Sequence, residues 1–148
     1  MNLTDFIDNI KMSVEDLEYS GKYGYVKGVS QIFMKNLTRI EPCHRPLHCS
    51  DIKRLKFYVR DNNMWDRDTG NMKLDNSINH ISKRQHKILK EWENQNPKYE
   101  NDNVKLEKYF NIVRSIIHGC DAEEILQNKS KIIRNVSNGI NIKELIKL

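Results

Sequence analysis

At 148 residues, with 38% hydrophobic and 30% charged, the chain is long enough for a real core yet polar for its size. No apolar run approaches the roughly 20 residues that cross a bilayer, and acids in the N-terminal stretch MNLTDFIDNI disfavour a signal peptide, so an intracellular protein with no membrane attachment is expected. Three cysteines, an odd number, argue against a disulfide framework, and the net charge of +5 is concentrated, residues 44–98 carrying 12 Lys and Arg against 7 Asp and Glu.

In chain order, Leu3, Phe6, Ile7, Ile10, Val14 and Leu17 fall at helical spacing. The stretch reads as one amphipathic helix or a helix pair broken near Ser13, where Ser13 and Asp16 offer a capping box to restart it. Ser20-Gly21-Lys22 reads as the following turn. Val26, Val29, Phe33, Leu37 and Ile40 then predict a helix over residues 25–40, which Pro42 and Pro46 end, holding the segment around Cys43 and Cys49 extended or turned. Leu55, Phe57 and Val59 alternate with Lys56, Tyr58 and Arg60, the clearest strand signal in the chain. Asp61-Asn62-Asn63 is turn chemistry, and Met64 and Trp65 begin a returning strand that fails at Asp66.

Residues 74–93 predict a helix with Ile78, Ile81, Ile88, Leu89 and Trp92 on one side and Lys83, Arg84, Lys87 and Lys90 on the other. Pro97 marks its end. Leu106, Tyr109, Phe110, Val113, Ile116 and Ile117 predict the next helix, and an Asp121–Glu124 capping box starts another through Ile125, Leu126, Ile132 and Ile133. A last short helix is expected from Asn141. The pattern describes one domain over residues 1–148: a helical part to 41, a hairpin plus basic helix over 42–97, and C-terminal helices from 98. The expected class is mainly α with one short β-hairpin, winged-helix-like at its centre.

Lys53, Arg54, Lys56, Tyr58, Arg60, Lys83, Arg84, Lys87 and Lys90 are the expected nucleic-acid contacts. Cations that neutralise phosphates release counterions, and Tyr58 between Lys56 and Arg60 offers a ring to a base. The plainer reading of such a run is a solvated helix face. Cys43, His44, His48 and Cys49 are zinc-type ligands, but their C-H-x3-H-C spacing lacks two separated ligand pairs. Extended chain would also point His48 and Cys49 to opposite sides. No cofactor is expected, zinc being the alternative to weigh.

Asp51-Ile52-Lys53 has the form of the acid-x-lysine half of a metal-dependent nuclease, which needs a converging carboxylate that only Glu41 supplies upstream. Asp66-x-Asp68-x-Gly70 departs from a calcium loop, with Asn71 and Ser77 where that loop wants Gly and Glu. A Cys49 nucleophile would need His80 or His86 as its base, and nothing in the sequence makes them meet.

The string RPLHCSDIKRLKFYVRDNNMWDRD, followed by KLDNSINHISKRQHKILKEWENQNP, resembles an uncharacterised domain family of nucleocytoplasmic large DNA viruses, mimivirus-like and related. The shared pattern is R-P-[I/L]-H-C-S-D-x-K-R, an aromatic strand, an Asp-Asn-x-x-Trp turn and a lysine-rich helix ending in W-x-x-x-N-P. Arg45, Pro46, His48, Cys49, Ser50, Asp51, Lys53, Arg54, Tyr58, Trp65, Trp92, Asn96 and Pro97 match it. The resemblance implies a viral accessory protein of the host cytoplasm or viral factory, or one packaged in the virion, and supplies no activity.

The function expected is non-enzymatic binding of nucleic acid, DNA foremost. The alternative is a protein–protein or self-associating structural domain, pairing with its own kind or a viral partner through exposed aromatics near Trp65 and Tyr58. A metal-dependent nuclease is the third.

Overall fold

The computed structural model describes residues 1–140, so the helix expected from Asn141 lies outside the described residues. Among the described residues six α-helices pack with a small antiparallel sheet, a mainly α α+β architecture as expected. α1 (Leu3–Asp8), α2 (Val14–Tyr23) and α3 (Tyr25–Thr38) lead into β1 (Leu47–Asp51), β2 (Lys56–Asp61) and β3 (Met64–Arg67). α4 (Met72–Gln95), α5 (Asn103–Ser115) and α6 (Ala122–Gly139) follow.

Local chemistry sets most of the boundaries. Ser13 Oγ accepts the Asp16 N–H (3.3 Å) while Asp16 accepts the Ser13 N–H (2.9 Å), the reciprocal box that starts α2. Asp121 opens α6 by accepting the Glu124 N–H at 2.8 Å. The expected turn at Ser20-Gly21-Lys22 is instead helical, and α2 stops at Gly24, whose φ of 97° only glycine adopts freely. Asp68, which a calcium loop would have turned to a metal, is buried and caps α4, its carboxylate accepting the N–H groups of Lys73 (2.9 Å) and Leu74 (3.0 Å).

The sheet has three strands in the order β1-β2-β3, one more than the expected hairpin. Leu47, His48 and Cys49 face Val59, Tyr58 and Phe57, and an irregularity follows before Asp51. Leu55 falls in the β1–β2 turn with a φ of 51°, not in the strand. Asn62 and Asn63 both take positive φ, the two-residue hairpin turn whose twist suits antiparallel strands. β3 runs on through Asp66 and Arg67.

Two apolar clusters form the core. The larger joins α1, α3, α6, the inner face of β1 and β2, and Leu74, Ile78 and Ile81 of α4. The smaller gathers Val14, Leu17, Ile112 and Ile116 around Ile88 and Trp92, so α4 is the spine shared by both. Buried polar residues lie at the helix crossings. Tyr25 Oη and Ser82 Oγ are 2.7 Å apart, and Gln85 Nε2 donates to Ser20 Oγ at 3.1 Å.

Candidate nucleic-acid interface

Period-two alternation divides the sheet into unlike faces. Leu47, Cys49, Phe57 and Val59 point inward and are almost wholly buried. Lys56, Tyr58 and Arg60 of β2 therefore point outward, joined by His48 opposite Tyr58, Arg67 on the other side of Tyr58, and Trp65 opposite Arg60.

Trp65 and His48 stack with ring centroids 5.3 Å apart and planes 28° from parallel. They stand on β3 and β1, whose axes are about 10 Å apart at ordinary strand spacing. The indole must therefore lie across β2 instead of standing clear of the sheet. Tyr58 is 43% exposed and Trp65 46%. Lys56, Arg60 and Arg67 stand around these open rings on the same face. None of those three cations makes an ion pair among the described residues.

Partial burial, and then the Arg45 charge, lower the His48 pKa. His118, stacked on Tyr25 at 5.4 Å, is lowered by burial and by His86 and Lys129. The unfolded chain takes up these protons near pH 6.5 and the folded chain only at lower pH. Below about pH 6.5 the unfolded state thus binds more protons, and stability falls as pH falls. The denaturation midpoint is expected to drop between pH 7 and pH 5. In the His48→Gln, His118→Gln double variant that slope should flatten; an unchanged slope would exclude these two imidazoles as its source.

The remaining expected contacts form separate groups. Lys53 and Arg54 project from the β1–β2 turn, where Asp51 accepts the Arg54 N–H at 3.1 Å. Lys83, Lys87 and Lys90 lie on the side of α4 opposite Ile81, Gln85, Ile88 and Trp92, with Arg84 flanking them half-buried. None of these four makes an ion pair among the described residues. The sheet and α4 both turn apolar residues into the larger cluster, so their cationic faces both look away from a shared core. Lys73 at the start of α4 pairs with Asp61 of β2 at 3.4 Å, but among the described residues no hydrogen bond, ion pair or ring contact links Lys83, Arg84, Lys87 or Lys90 to the sheet.

The four zinc-type ligands do not converge. Cys43 and His44 sit with Glu41 in an exposed 3-10 turn, their ligand atoms within 4.8 Å of one another. His48 is under Trp65, and Cys49 is fully buried on the opposite face of β1. Burial pushes the Cys49 thiol pKa up, the wrong direction for a nucleophile. Asp51 belongs to no cluster of three ligand groups among the described residues.

Arg67, Trp65 and His48 complete the face and were not among the expected contacts. Continuing the period-two reading of β2 across its hairpin would have found the first two. No family model, curated protein or solved structure matches this chain. No described helix is long and apolar enough to cross a membrane.

Proposed function

We propose that this chain binds nucleic acid without catalysing a reaction, by laying an unpaired stretch of strand across the outer face of its sheet. In the viral setting implied by the resemblance, DNA is the strand expected. One observation carries the reading: Tyr58 and Trp65 present open rings on the same face as Lys56, Arg60 and Arg67, cations that make no ion pair among the described residues. Rings of this kind stack on any base, while the cations hold the backbone that connects the bases. A duplex keeps its bases in its own stack, so it can use the cations and not the rings. The α4 stripe supplies further phosphate contacts to either form.

Fluorescence anisotropy with labelled single-stranded and duplex oligonucleotides over a salt series tests this. Affinity for both should fall steeply with salt, at roughly 0.7–0.9 log units per log unit of salt for each phosphate contacted. Trp65→Ala should weaken single-strand binding by about 1–3 kcal/mol, on the order of 5- to 150-fold, and leave duplex binding little changed. Lys83→Glu with Lys87→Glu should weaken both. The absence of salt-sensitive binding to either form would sink the proposal; an inert Trp65→Ala would remove the sheet face from it.

A further inference from the structure

A groove of about 740 Å³ opens where the C-terminal end of α2, the first turn of α3, α5 and α6 come together, away from the sheet and α4. Residue size explains the space. Gly21 has no side chain to fill it, and the short amides of Asn128 and Asn135 line α6 where longer apolar residues would have closed it. Each of the four helices adds one cation: Lys22 from α2, Lys27 from α3, Arg114 from α5 and Lys131 from α6. Glu124 is the one acid that lines the groove, and its carboxylate accepts the Cys120 N–H at 3.4 Å. None of the four cations makes an ion pair among the described residues. Two contacts fix where the charge stands. The ammonium groups of Lys22 and Lys27 lie 5.3 and 5.9 Å from the centroid of the same ring, Tyr23. Arg114 Nη2 donates to Asn111 Oδ1 at 2.7 Å, which holds the guanidinium at the groove.

We propose that this groove binds a small polyphosphate, the di- or triphosphate group of a nucleotide or its inorganic counterpart. Four cations against one acid leave three positive charges in excess around a single concavity. Like charges gathered in this way repel one another. A ligand with several negative charges at close spacing turns that repulsion into attraction. Lysine ammoniums meet phosphate oxygens as point charges, and the planar guanidinium of Arg114 can hold two oxygens at once. A single phosphate would reach only some of cations spread over four helices, whereas a chain of two or three phosphates can touch most of them. The concave shape favours a compact ligand, since the volume falls within the roughly 300–1,000 Å³ of small-molecule sites.

No residue of the groove belongs to the sheet face or to the α4 stripe, so this site and strand binding stand or fall separately. Isothermal titration calorimetry of the full chain at low salt, with inorganic triphosphate, ATP and adenosine and no divalent cation, tests it. Triphosphate and ATP should each saturate at one per chain, and adenosine should not bind. ATP binding tighter than triphosphate assigns the site to a nucleotide, and equal affinities assign it to the phosphates alone. Lys27→Glu with Lys131→Glu, both at exposed positions, should weaken triphosphate binding by about tenfold or more with an unchanged circular dichroism spectrum. Lys83→Glu with Lys87→Glu should leave it unchanged. Absence of saturable triphosphate binding, or wild-type affinity in the groove variant, overturns the site. An equal loss from the α4 pair overturns it as well, because binding would then be a general attraction to basic surface. If the groove variant loses affinity for an oligonucleotide as strongly as for triphosphate, the groove serves the strand and is not a small-ligand site.

Discussion

Trp92→Ala is expected to remove about 3–5 kcal/mol of stability, a large share of what a domain of this size possesses. The indole is 1% exposed and is the largest side chain of the smaller cluster. Tyr99 and Tyr109 pack against it with centroids 5.5 and 5.9 Å away. Its removal leaves a cavity where α2, α4 and α5 meet, and helices cannot close such a space without losing their other contacts. Trp92→Phe should cost much less, because the buried indole Nε1 has no hydrogen-bond partner among the described residues and phenylalanine removes that N–H while filling most of the volume. Urea unfolding followed by far-UV circular dichroism measures both. Equal losses for Ala and Phe would mean that volume is not what Trp92 contributes.

Gly28→Ala is expected to destabilise by about 3 kcal/mol, the upper end of what overpacking costs. In an exposed helix the same change would stabilise by up to about 1 kcal/mol. Here a Cβ on Gly28 would overlap Ser20 Oγ and come within 2.7 Å of Ser20 Cβ and 3.1 Å of Ser20 Cα. Backbone lies behind that hydroxyl, so α2 and α3 must separate. Separation also strains the Gln85–Ser20 hydrogen bond that ties α2 to α4. Ser20→Gly in the Gly28→Ala background should recover part of the loss, a coupling that a double-mutant cycle reads directly. A neutral or stabilising Gly28→Ala would show that α2 and α3 do not approach this closely.

Both residues show how far reading the chain could go. Trp92 belonged to a helical stripe whose period marked it as core from the start. Gly28 is one of three glycines within eight residues, and only Gly24 ends a helix. Gly21 and Gly28 stay helical because a neighbour occupies the place of their missing side chains, Ile112 Cγ1 at 2.9 Å in the first case. A glycine required for close packing and one required for a turn are the same letter.

Similar ambiguities explain the other differences. Leu47 to Asp51 drew attention as a run of possible ligands, and its strand character comes from pairing with β2, which supplies the hydrogen bonds that five residues cannot make alone. The Trp65–His48 stack joins residues 17 positions apart on strands that do not touch. Neither propensity nor period carries that information.

The amino-acid order by itself determined the helices with one apolar face, the capping residues Ser13 and Asp121, the Asn62–Asn63 turn and the alternation along β2, because each depends on bonds or side chains only a few positions apart. Tertiary structure alone decided which apolar side of α5 meets the core, which glycines allow close approach, and that Trp65 lies across the sheet toward His48. Those outcomes depend on what distant segments bring to the same place. A helix with two apolar faces, such as residues 103–115, is equally content to bury either until its neighbours take one.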